Sequence, residues 1–325
     1  MTDVSVIVVS YNTSELTIRG LTTLLGTPST ASYEVIVVDN ASSDGSADAI
    51  EAALPQVRVV RLPRNVGFGR AVNAGATHAT GDYLMLLNPD AEPVGDVIGA
   101  FLSYASANPA PRVYVGRTLD VHGADDGRSI YALPTLWGYF CFATGLSTLF
   151  RRSALLNPEE LPDRPRDVPG PVPAGSGCLL LIDRALFTAL GGFTADYFMY
   201  SEDIDLSQRA TAAGATPTLV PEAKVLHVNG ASSTSVNKRI MVLRGKTTYL
   251  RLRWSPTRAR AGRALLLTGI ALRAAASRLT GRAPYWRDVW SHRTTWLPGW
   301  PAPDTASPTG ENTPTAAPAV PTRQL

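Results

Sequence analysis

Short apolar runs alternate with amphipathic segments between residues 4 and 88. The runs are rich in Val, Ile and Leu and too short for helices, so they predict buried strands, at 4–9, 33–39, 57–62 and 82–88. The segments between them have helical periodicity and predict helices, at 14–25, 44–54 and 69–79. Strands joined by helices of this length form a parallel sheet covered on both faces. The sequence therefore predicts an α/β fold with a Rossmann-like, mostly parallel sheet.

The rest of the chain is less regular. A Pro- and Arg-rich stretch at 157–173 is expected to be a mobile loop or one that covers a ligand. Later patterns predict a strand with a short helix, one or two strands, and two helices, at 177–193, 216–227, 239–253 and 258–280. We expect an α/β domain, a basic helical segment and a disordered Pro/Thr/Ala-rich tail, at 1–237, 238–300 and 301–325.

The composition is that of a soluble globular protein. The 325 residues are 45% hydrophobic and 18% charged, which is enough for a large core. Neither a basic leader nor an apolar run of about 18 residues is found, so secretion and membrane spanning are not indicated. Cys141 and Cys178 lie in apolar stretches without a pairing motif, and we expect buried free thiols in the cytoplasm.

Basic residues are concentrated near the C-terminal end. Residues 238–293 contain fourteen Lys or Arg against one acid, Asp288. Such a segment implies an anionic partner, for example phosphates or lipid headgroups. It carries no nucleic-acid recognition motif, so we do not expect nucleic acid as the partner.

One predicted helix in this segment has two side-chain stripes. Leucines recur every seven residues and arginines lie largely on the opposite side: Leu265, Leu272 and Leu279, with Arg263, Arg273 and Arg278. A packed surface helix and a basic amphipathic helix on an anionic membrane are both consistent with this pattern. Tryptophans nearby favour the membrane interface: Trp254, Trp286, Trp290, Trp296 and Trp300.

Polar residues follow each of the first strands. They are expected to meet at one edge of the sheet, where ligands of such folds bind: Ser10, Tyr11, Asn12, Asp39, Asn65 and Asp90. Asp39 could accept the imide N–H of uracil or thymine, or ribose hydroxyls. Gly67 and Gly69 lack the third glycine of a dinucleotide fingerprint and indicate a tight turn, which leaves Asn65 and Asn73 to contact a ligand.

Two further sites have ambiguous chemistry. The sequence Asn88-Pro89-Asp90 is typical of a turn. A carboxylate at the end of a strand could also hold Mg²⁺ or Mn²⁺ against a diphosphate. His227 follows an apolar strand and is either a structural residue or a second metal ligand.

The stretch YFMYSEDIDLSQR, 197–209, raises a different question. Ser201 suits a helix N-cap, and Asp205 lies four residues before Arg209, where a surface pair would form. An acidic helix start does not explain the apolar residues immediately before it. The stretch alone leaves both an ordinary helix start and a functional carboxylate at Glu202 or Asp203 open.

In this order, the motifs resemble a known family. The motifs are SVIVVSYN, VIVVDNASSDGS, LPRNVGFGRAVNAG, GDYLMLLNPDAEP, GSGCLLLIDRALFTALGGFTADYFMYSEDIDLSQRATAAG and VLHVNGASS. Together they are similar to the inverting, GT-A-type nucleotide-sugar glycosyltransferases of family 2. Within that family they most resemble bacterial rhamnosyltransferases that act on lipid-diphosphate-linked N-acetylglucosamine. The resemblance spans residues 3 to 253.

The resemblance implies a role for each matching residue. Asp39 takes the base-binding position, Asn88 to Asp90 the metal motif, Asp203 the catalytic base beside Glu202, and His227 a metal or diphosphate contact. Asn88 departs from the family pattern because it stands where the metal motif has its first carboxylate. The remaining expected contacts are donor residues Gly67, Lys238 and Arg244, and acceptor residues Tyr197, Tyr200, Gly175 and Ser176.

We therefore expect a glycosyltransferase that uses Mg²⁺ or Mn²⁺ at the inner face of the cell membrane. Its donor is expected to be dTDP-rhamnose and its acceptor a polyprenyl-diphosphate-linked saccharide. A UDP-sugar donor and a non-catalytic nucleotide-binding partner of a polysaccharide-assembly complex are the alternatives. The sequence leaves a homo-oligomer open.

Overall fold

The structure is a computed structural model that describes residues 2–227, 235–279 and 284–302. The expected tail at 301–325 lies, apart from its first two residues, outside the described residues. The strands are β1 (Val4–Ser10), β2 (Tyr33–Asp39), β3 (Arg58–Arg61), β4 (Tyr83–Leu87), β5 (Ala91–Val94), β6 (Val113–Leu119), β7 (Ile130–Tyr131), β8 (Gly170–Pro171), β9 (Ala174–Gly175), β10 (Leu179–Asp183) and β11 (Thr218–His227).

Helices connect these strands and follow the last of them. The helices are α1 (Ser14–Gly26), α2 (Ser46–Ala53), α3 (Phe68–Ala76), α4 (Val97–Ala107), α5 (Leu136–Thr144), α6 (Leu146–Leu149), α7 (Arg184–Ala189), α8 (Glu202–Ala212), α9 (Val236–Arg253), α10 (Pro256–Leu279), α11 (Tyr285–Ser291) and α12 (Arg293–Trp296). Among the described helices, none is both long and apolar enough to cross a bilayer.

Within the described residues, nine strands form the central sheet, in the order β3-β2-β1-β4-β10-β6-β11-β5 with β8 beside β11. The first four strands are parallel, as predicted. Strand β10 then runs antiparallel to both of its neighbours, and β5 runs antiparallel to β11. The predicted α/β, Rossmann-like sheet is therefore confirmed, and its second half is mixed.

The central strands are buried on both faces because their apolar residues are continuous. Val6 and Val8 face a core that includes Leu21 of α1 and Phe101 of α4. The alternate residues, such as Ile7, face a second core with α3, α7 and α8. Each fully buried aliphatic side chain contributes about 1.5–3 kcal/mol to folding, so both layers hold the sheet rigidly beneath its loops.

A third core joins the C-terminal helices to α5 and to the segment before α8. Trp296 is fully buried, and Trp254 and Trp300 are nearly so, while Trp286 and Trp290 pack partly buried around them. The expectation that these tryptophans lie at a membrane interface is wrong for the three buried ones, because they fill this core. The indole N–H of Trp300 donates to the carbonyl oxygen of Met199 at 2.9 Å.

The Pro- and Arg-rich stretch is held by two of its own arginines. The guanidinium of Arg164 donates to the carbonyl oxygens of Pro165 and Gly170, at 2.7 and 3.1 Å. Arg166 donates in the same way to Glu160 and Leu161. These bonds satisfy backbone acceptors that a loop without regular structure would leave free.

Candidate active site

The carboxyl ends of β1 and β2 hold the first part of the site. Ser10 pairs with Asp39 in register, so both strands end at the same level. Asp39 is buried, and its Oδ2 accepts a hydrogen bond from the Ser42 amide at 3.1 Å. Its Oδ1 is buried without a partner among the described residues. Leaving such an acceptor unpaired is costly, so Asp39 is suited to receive an N–H or O–H from a ligand.

The turn after β1 is joined to the loop after β2. Asn12 has a left-handed backbone, with φ of 54°. Its amide donates to Oγ of Ser42, and its side-chain oxygen accepts from the Ser43 amide, both at 2.9 Å. Ser10 is buried at the start of this turn and Tyr11 is half-buried beside it. These bonds place Ser10, Tyr11 and Asn12 next to Asp39.

An asparagine pair supports the loop after β3. Nδ2 of Asn40 donates to Oδ1 of Asn65 at 3.0 Å, and the same oxygen accepts from the amide of Gly67. Asn73 has a different role from the one expected. Both ends of its side-chain amide bind the backbone of Phe193 at 2.8 Å. The expected ligand contact at Asn73 is thus replaced by a structural one that ties α3 to the Gly-Gly turn.

His227 bridges two carboxylates at the end of β11. The sheet register sets it opposite Ala91, with its Nε2 3.3 Å from Oδ2 of Asp90. Its Nδ1 lies 3.4 Å from Oδ2 of Asp126. Burial lowers the pKa of His227, but hydrogen bonds to Asp126 and Asp90 outweigh this and raise it to about 9. The two carboxylates therefore favour the protonated form of the ring.

Asp90 and His227 could share a divalent ion. Among the described residues, no three His, Cys, Asp or Glu side chains are grouped as a metal site. The pair nevertheless offers a carboxylate oxygen and an imidazole nitrogen, both partly accessible. Mg²⁺ is often held by one or two protein groups plus substrate phosphates and water. The two residues fit such a site once His227 is deprotonated, and Asn88 adds no charge to it.

Two cations lie near Asp90. Burial first, and then the charge of Arg128, lower the pKa of Lys238, while the charge of Asp90 acts in the opposite direction. Neither the guanidinium of Arg128 nor the ammonium of Lys238 makes an ion pair within the described ranges. Arg239, next along α9, is engaged with Tyr285 instead. Arg128 and Lys238 are thus available to an anionic ligand beside Asp90.

Glu202 and Asp203 begin α8. Glu202 is buried, and its Oε2 has no hydrogen-bond partner among the described residues. Burial, and next the charge of Asp203, raise the pKa of Glu202. Burial also raises the pKa of Asp203, against hydrogen bonds from the amides of Ile204 and Gly177 at 2.8 and 3.4 Å. Asp203 remains partly accessible, so it can exchange a proton with a bound hydroxyl.

A short path of contacts connects Asp90 with Asp203. The amide of Asn88 donates to the carbonyl oxygen of Cys178 at 2.9 Å. Gly177, which precedes Cys178, donates its amide to the carboxylate of Asp203. Glu202 in turn packs near Gly69, where an added Cβ would lie 3.7 Å from its Cγ. The strand-end groups and the α8 acids therefore border one region.

The segment before α8 has an unusual backbone. Tyr200 and Ser201 both have positive φ, of 68° and 72°. Burial, and next the charge of Glu202, raise the pKa of Tyr200 to about 12, and the charges of Arg128 and Asp90 also act on it. Tyr200 therefore lies among the site residues. Ser201 precedes the helix as predicted but makes no side-chain capping bond.

Tyr197 is not part of the acceptor wall. It is fully buried in the third core, and its hydroxyl donates to Oδ1 of Asp205 at 3.3 Å. Asp205 is fully buried too and pairs with Arg209 at 2.8 Å and with Arg253 of α9. The predicted Asp205–Arg209 contact exists, but it is an internal junction between α8 and α9 instead of a surface pair.

Gly175 and Ser176 lie behind Asp203. Gly175 is buried in β9, and its amide donates to Oγ of Ser207 on α8 at 3.2 Å. Ser176 Oγ accepts a hydrogen bond from the Cys178 amide at 3.2 Å, and the pKa of Tyr131 is raised by burial and then by the charge of Asp203. Gly175 is thus a structural contact of α8, whereas Ser176 and Tyr131 lie close to the carboxylate of Asp203.

Arg244 is engaged with the C-terminal segment. Its guanidinium lies over the Trp300 ring, 4.0 Å from the centroid, and Nε donates to the Gly299 carbonyl at 3.4 Å. Burial lowers its pKa. These contacts hold the C-terminal segment on α9, so we leave Arg244 out of the proposed donor site.

Known proteins resemble this chain over much of its length. A model of Glycosyl transferase family 2 matches residues 5–157. The N-acetylglucosaminyl-diphospho-decaprenol L-rhamnosyltransferase of Mycobacterium tuberculosis is 30% identical over 270 residues, covering 77% of this chain and 84% of that protein. The chain belongs to glycosyl transferase family 2. The expected enzyme class, a glycosyltransferase, is confirmed.

Solved structures support the fold of this family 2 glycosyltransferase. The mannosyltransferase PcManGT from Pyrobaculum calidifontis, in complex with GDP-Man and Mn²⁺, is 20% identical, with a TM-score of 0.54 over 90% of this chain and 80% of that one. GalNAc-T7 with UDP, GalNAc and Mn²⁺ is 17% identical, with a TM-score of 0.56 over 91% of this chain and 54% of that one. The expected GT-A fold is confirmed.

Three residues of the candidate site were not predicted from the sequence. Asp126 and Arg128 lie in the loop between β6 and β7, and Tyr131 lies in the two-residue strand β7, all within the irregular part of the sequence. The only local signal was the acidic and Gly-rich pattern HGADDGRS, which reads equally well as an ordinary turn.

Proposed function

We propose that the enzyme transfers L-rhamnose from dTDP-rhamnose, with inversion, to a polyprenyl-diphosphate-linked saccharide at the inner face of the cell membrane. The relative with 30% identity is named for a decaprenol-linked acceptor and L-rhamnose, which supports this choice of substrates. The single observation that carries the proposed chemistry is the placement of Asp203. It is a partly accessible carboxylate with a raised pKa at the start of α8, and it accepts a hydrogen bond from Gly177, next to the Cys178 whose carbonyl oxygen binds the Asn88 amide.

Asp203 acts as the general base. It accepts the proton of the acceptor hydroxyl while that oxygen attacks the anomeric carbon and the bond to the donor diphosphate breaks. Inversion is a single displacement, so no protein nucleophile is required. The raised pKa makes Asp203 a stronger base than an exposed aspartate, because it favours the protonated product of the transfer.

The donor lies along the strand ends. Asp39 receives a hydrogen bond from the base or ribose through its unpartnered Oδ1. Ser10, Tyr11, Asn12, Asn65 and Gly67 form the surrounding turns. Arg128 and Lys238 face the diphosphate and stabilise the charge that develops on it. Asp90 and His227 would hold Mg²⁺ or Mn²⁺, which when bound neutralises the leaving diphosphate.

The acceptor sugar lies against Tyr200, Tyr131 and Ser176. Tyr131 lies near Asp203, and Tyr200 lies near Glu202 and Asp90, so these side chains reduce the access of water, which would otherwise hydrolyse the donor. Glu202 is buried behind the base with a raised pKa. We assign it a positioning role at the start of α8.

The test is turnover with defined substrates. Purified enzyme with Mg²⁺ or Mn²⁺ should release dTDP from dTDP-rhamnose only when a polyprenyl-diphosphate-N-acetylglucosamine acceptor is present. Asp203→Asn should lower kcat by about 10²–10⁴-fold, the range of general-base catalysis. Its affinity for nucleotide should stay within about threefold of the parent, since the change leaves the donor contacts intact.

Asp196→Asn is the matched control, because Asp196 lies in the same segment but pairs with Arg251 at 3.1 Å outside the site. A kcat of Asp203→Asn within about threefold of the parent would show that the base is elsewhere. Faster turnover with a UDP-sugar would move the donor assignment to uridine. Nucleotide binding without turnover on any acceptor would favour the non-catalytic alternative.

A further inference from the structure

Exposed apolar side chains collect on two neighbouring helical segments. Trp137 and Phe140 of α5 are 44% and 40% exposed and stack with centroids 5.4 Å apart. Leu149 at the end of α6 is 76% exposed, and Phe150 follows it. Stacked aromatic side chains that are exposed to water indicate a binding surface. A partner that covers them removes a large apolar area from water.

Helix α10 continues this surface. It packs inward through small and aliphatic residues: Ala259, Gly262, Leu266, Gly269, Ile270, Ala274 and Ser277. Leu265 of the leucine stripe is partly buried against the third core, whereas Leu272 and Leu279 are exposed, Leu279 by 89%. Of the two interpretations of this helix, the packed one is thus correct for one face, and a second apolar face remains in solvent.

Contacts between the helices place the two sets side by side. Trp137 and Phe140 line a groove with Ala261, Ala264 and Leu265 of α10. At the other end, the Arg273 guanidinium donates to Oγ1 of Thr148 at 3.3 Å, which places α6 beside the turn of α10 that carries Leu272. We call the six residues Trp137, Phe140, Leu149, Phe150, Leu272 and Leu279 the α5–α10 surface.

Most of the charge next to this surface is positive, because the nearby carboxylate at α5, Glu159 beside Gly138, is paired with Lys246 at 2.6 Å. Neither residues 132–158 nor helix α10 contains an Asp or Glu. Arg151 and Arg152 follow Phe150 directly, both are exposed, and neither side chain makes an ion pair within the described residues. Exposed aromatic and leucine side chains next to unpaired arginines match a bilayer with anionic headgroups, where the apolar groups insert and the arginines bind phosphates.

The surface is connected to the active site by a short piece of chain. Tyr131, beside Asp203, precedes the first residue of α5 by five positions. Five extended residues span no more than about 18 Å. A lipid-linked sugar whose diphosphate lies at the headgroups therefore needs little displacement from the membrane to reach Asp203.

We propose that the α5–α10 surface docks this enzyme on an anionic membrane. Most of the C-terminal tryptophans that were expected at the membrane interface are buried in the third core. In this proposal Trp137 and Phe140 are the aromatic residues that contact the membrane. The tail beyond residue 302 is a poor alternative occupant, because its only large aliphatic residues are Val320 and Leu325. The proposed docking explains access to a lipid-linked acceptor and in that respect rests on the proposed function.

Vesicle flotation tests the docking without any turnover. The full chain should float with phosphatidylcholine vesicles that contain phosphatidylglycerol, and much less with phosphatidylcholine alone. Leu149→Ser with Phe150→Ser should lower the bound fraction at least about tenfold, since two inserted apolar groups are lost. Arg151→Gln with Arg152→Gln should weaken binding to the anionic vesicles by about thirty-fold, which corresponds to about 1 kcal/mol per arginine. Val121→Ser, also at an exposed apolar residue, is the matched control and should float like the parent.

Parent protein that stays unbound to anionic vesicles, or variants that float like the parent, would overturn the proposal. So would a dimer in solution that the Leu149 and Phe150 changes convert to monomer without altering flotation, because a second copy would then cover the surface. A circular dichroism spectrum and melting temperature equal to the parent's are required of each variant. Flotation with no turnover on any acceptor would leave the docking intact and refute the proposed function.

Discussion

A Cβ atom placed on Gly67 would lie only 2.1 Å from the carbonyl oxygen of Phe198. That oxygen already accepts a hydrogen bond from the amide of Phe68 at 2.9 Å. The turn that borders the donor side is therefore in direct backbone contact with the segment that leads into Glu202 and Asp203. The two halves of the site are positioned by this contact.

Gly67→Ala should disrupt that contact. Gly67 has φ of 86° and ψ of 173°, a conformation open essentially to glycine alone. We expect a loss of at least about 3 kcal/mol in the free energy of unfolding, from backbone strain and overlap together. Urea denaturation measures it. Gly45→Ala is the control, because Gly45 is left-handed with nothing within 4 Å, and it should lose only about 1–2 kcal/mol. Equal losses at the two positions would argue against the close contact.

Asp39→Asn should weaken nucleotide binding. An uncharged amide replaces an acceptor whose Oδ1 is unpaired and buried. A hydrogen bond to a charged group contributes about 1.5–3 kcal/mol, so we expect a rise in the Kd for dTDP of about 10- to 100-fold. Isothermal titration calorimetry measures it. Asp44→Asn, in the same loop but bound to Ser46, should leave the Kd unchanged. An unchanged Kd in Asp39→Asn would remove this residue from the donor site.

Asp205→Asn should destabilise the fold strongly. The substitution leaves Arg209 and Arg253 without their shared buried carboxylate. Breaking a buried pair in this way costs about 3–5 kcal/mol. Guanidinium denaturation followed by circular dichroism gives the value. Asp48→Asn removes one of the two acidic partners of the exposed Arg61, the other being Glu51, and should cost less than about 1 kcal/mol. A loss at residue 205 as small as that at residue 48 would show that the internal junction contributes little.

Glu202→Gln should change the pH dependence of stability. Burial, and next the charge of Asp203, raise the pKa of Glu202 above its ordinary value of 4.5. Above pH 4.5 the unfolded chain therefore loses the Glu202 proton, whereas the folded protein keeps it. Its stabilising contribution is complete below that pH and is lost as pH rises towards the raised pKa. Glutamine cannot ionise, so the variant should gain at least about 1 kcal/mol on the parent between about pH 5 and pH 8.

Urea denaturation at several pH values measures this gain. Glu15→Gln is the control, since Glu15 lies on the exposed side of α1, and it is not expected to show the gain. A difference between Glu202→Gln and the parent that does not vary with pH would contradict the buried, proton-retaining state of Glu202.

The parallel half of the sheet was predictable because continuous apolar strands alternate with helical periodicity. The direction of β10 was not, since an apolar run such as Leu179 to Ile182 has the same pattern in either orientation. Strand β6 and helices α4 to α6 were missed because their segments mix apolar residues with turn formers.

Local sequence also failed to assign side chains to faces next to α8. Tyr197 and Tyr200 look alike in the sequence, but the positive φ at Tyr200 and Ser201 turns one tyrosine to the site and leaves the other in the core. The tryptophans near the C-terminal end were misplaced for a related reason. The basic residues of this segment indicate that its surface binds an anionic partner. They do not show which of the neighbouring tryptophans are buried in the core.

The bond from Trp300 to Met199 has a consequence for biosynthesis. Met199 stands three residues before Glu202, while Trp300 is separated from it by about a hundred residues of later sequence. A nascent chain on the ribosome cannot make this bond until residue 300 has left the exit tunnel. The acids of α8 thus acquire their final support only after synthesis has passed residue 300, and a chain arrested earlier would carry both carboxylates without the arrangement that makes them useful.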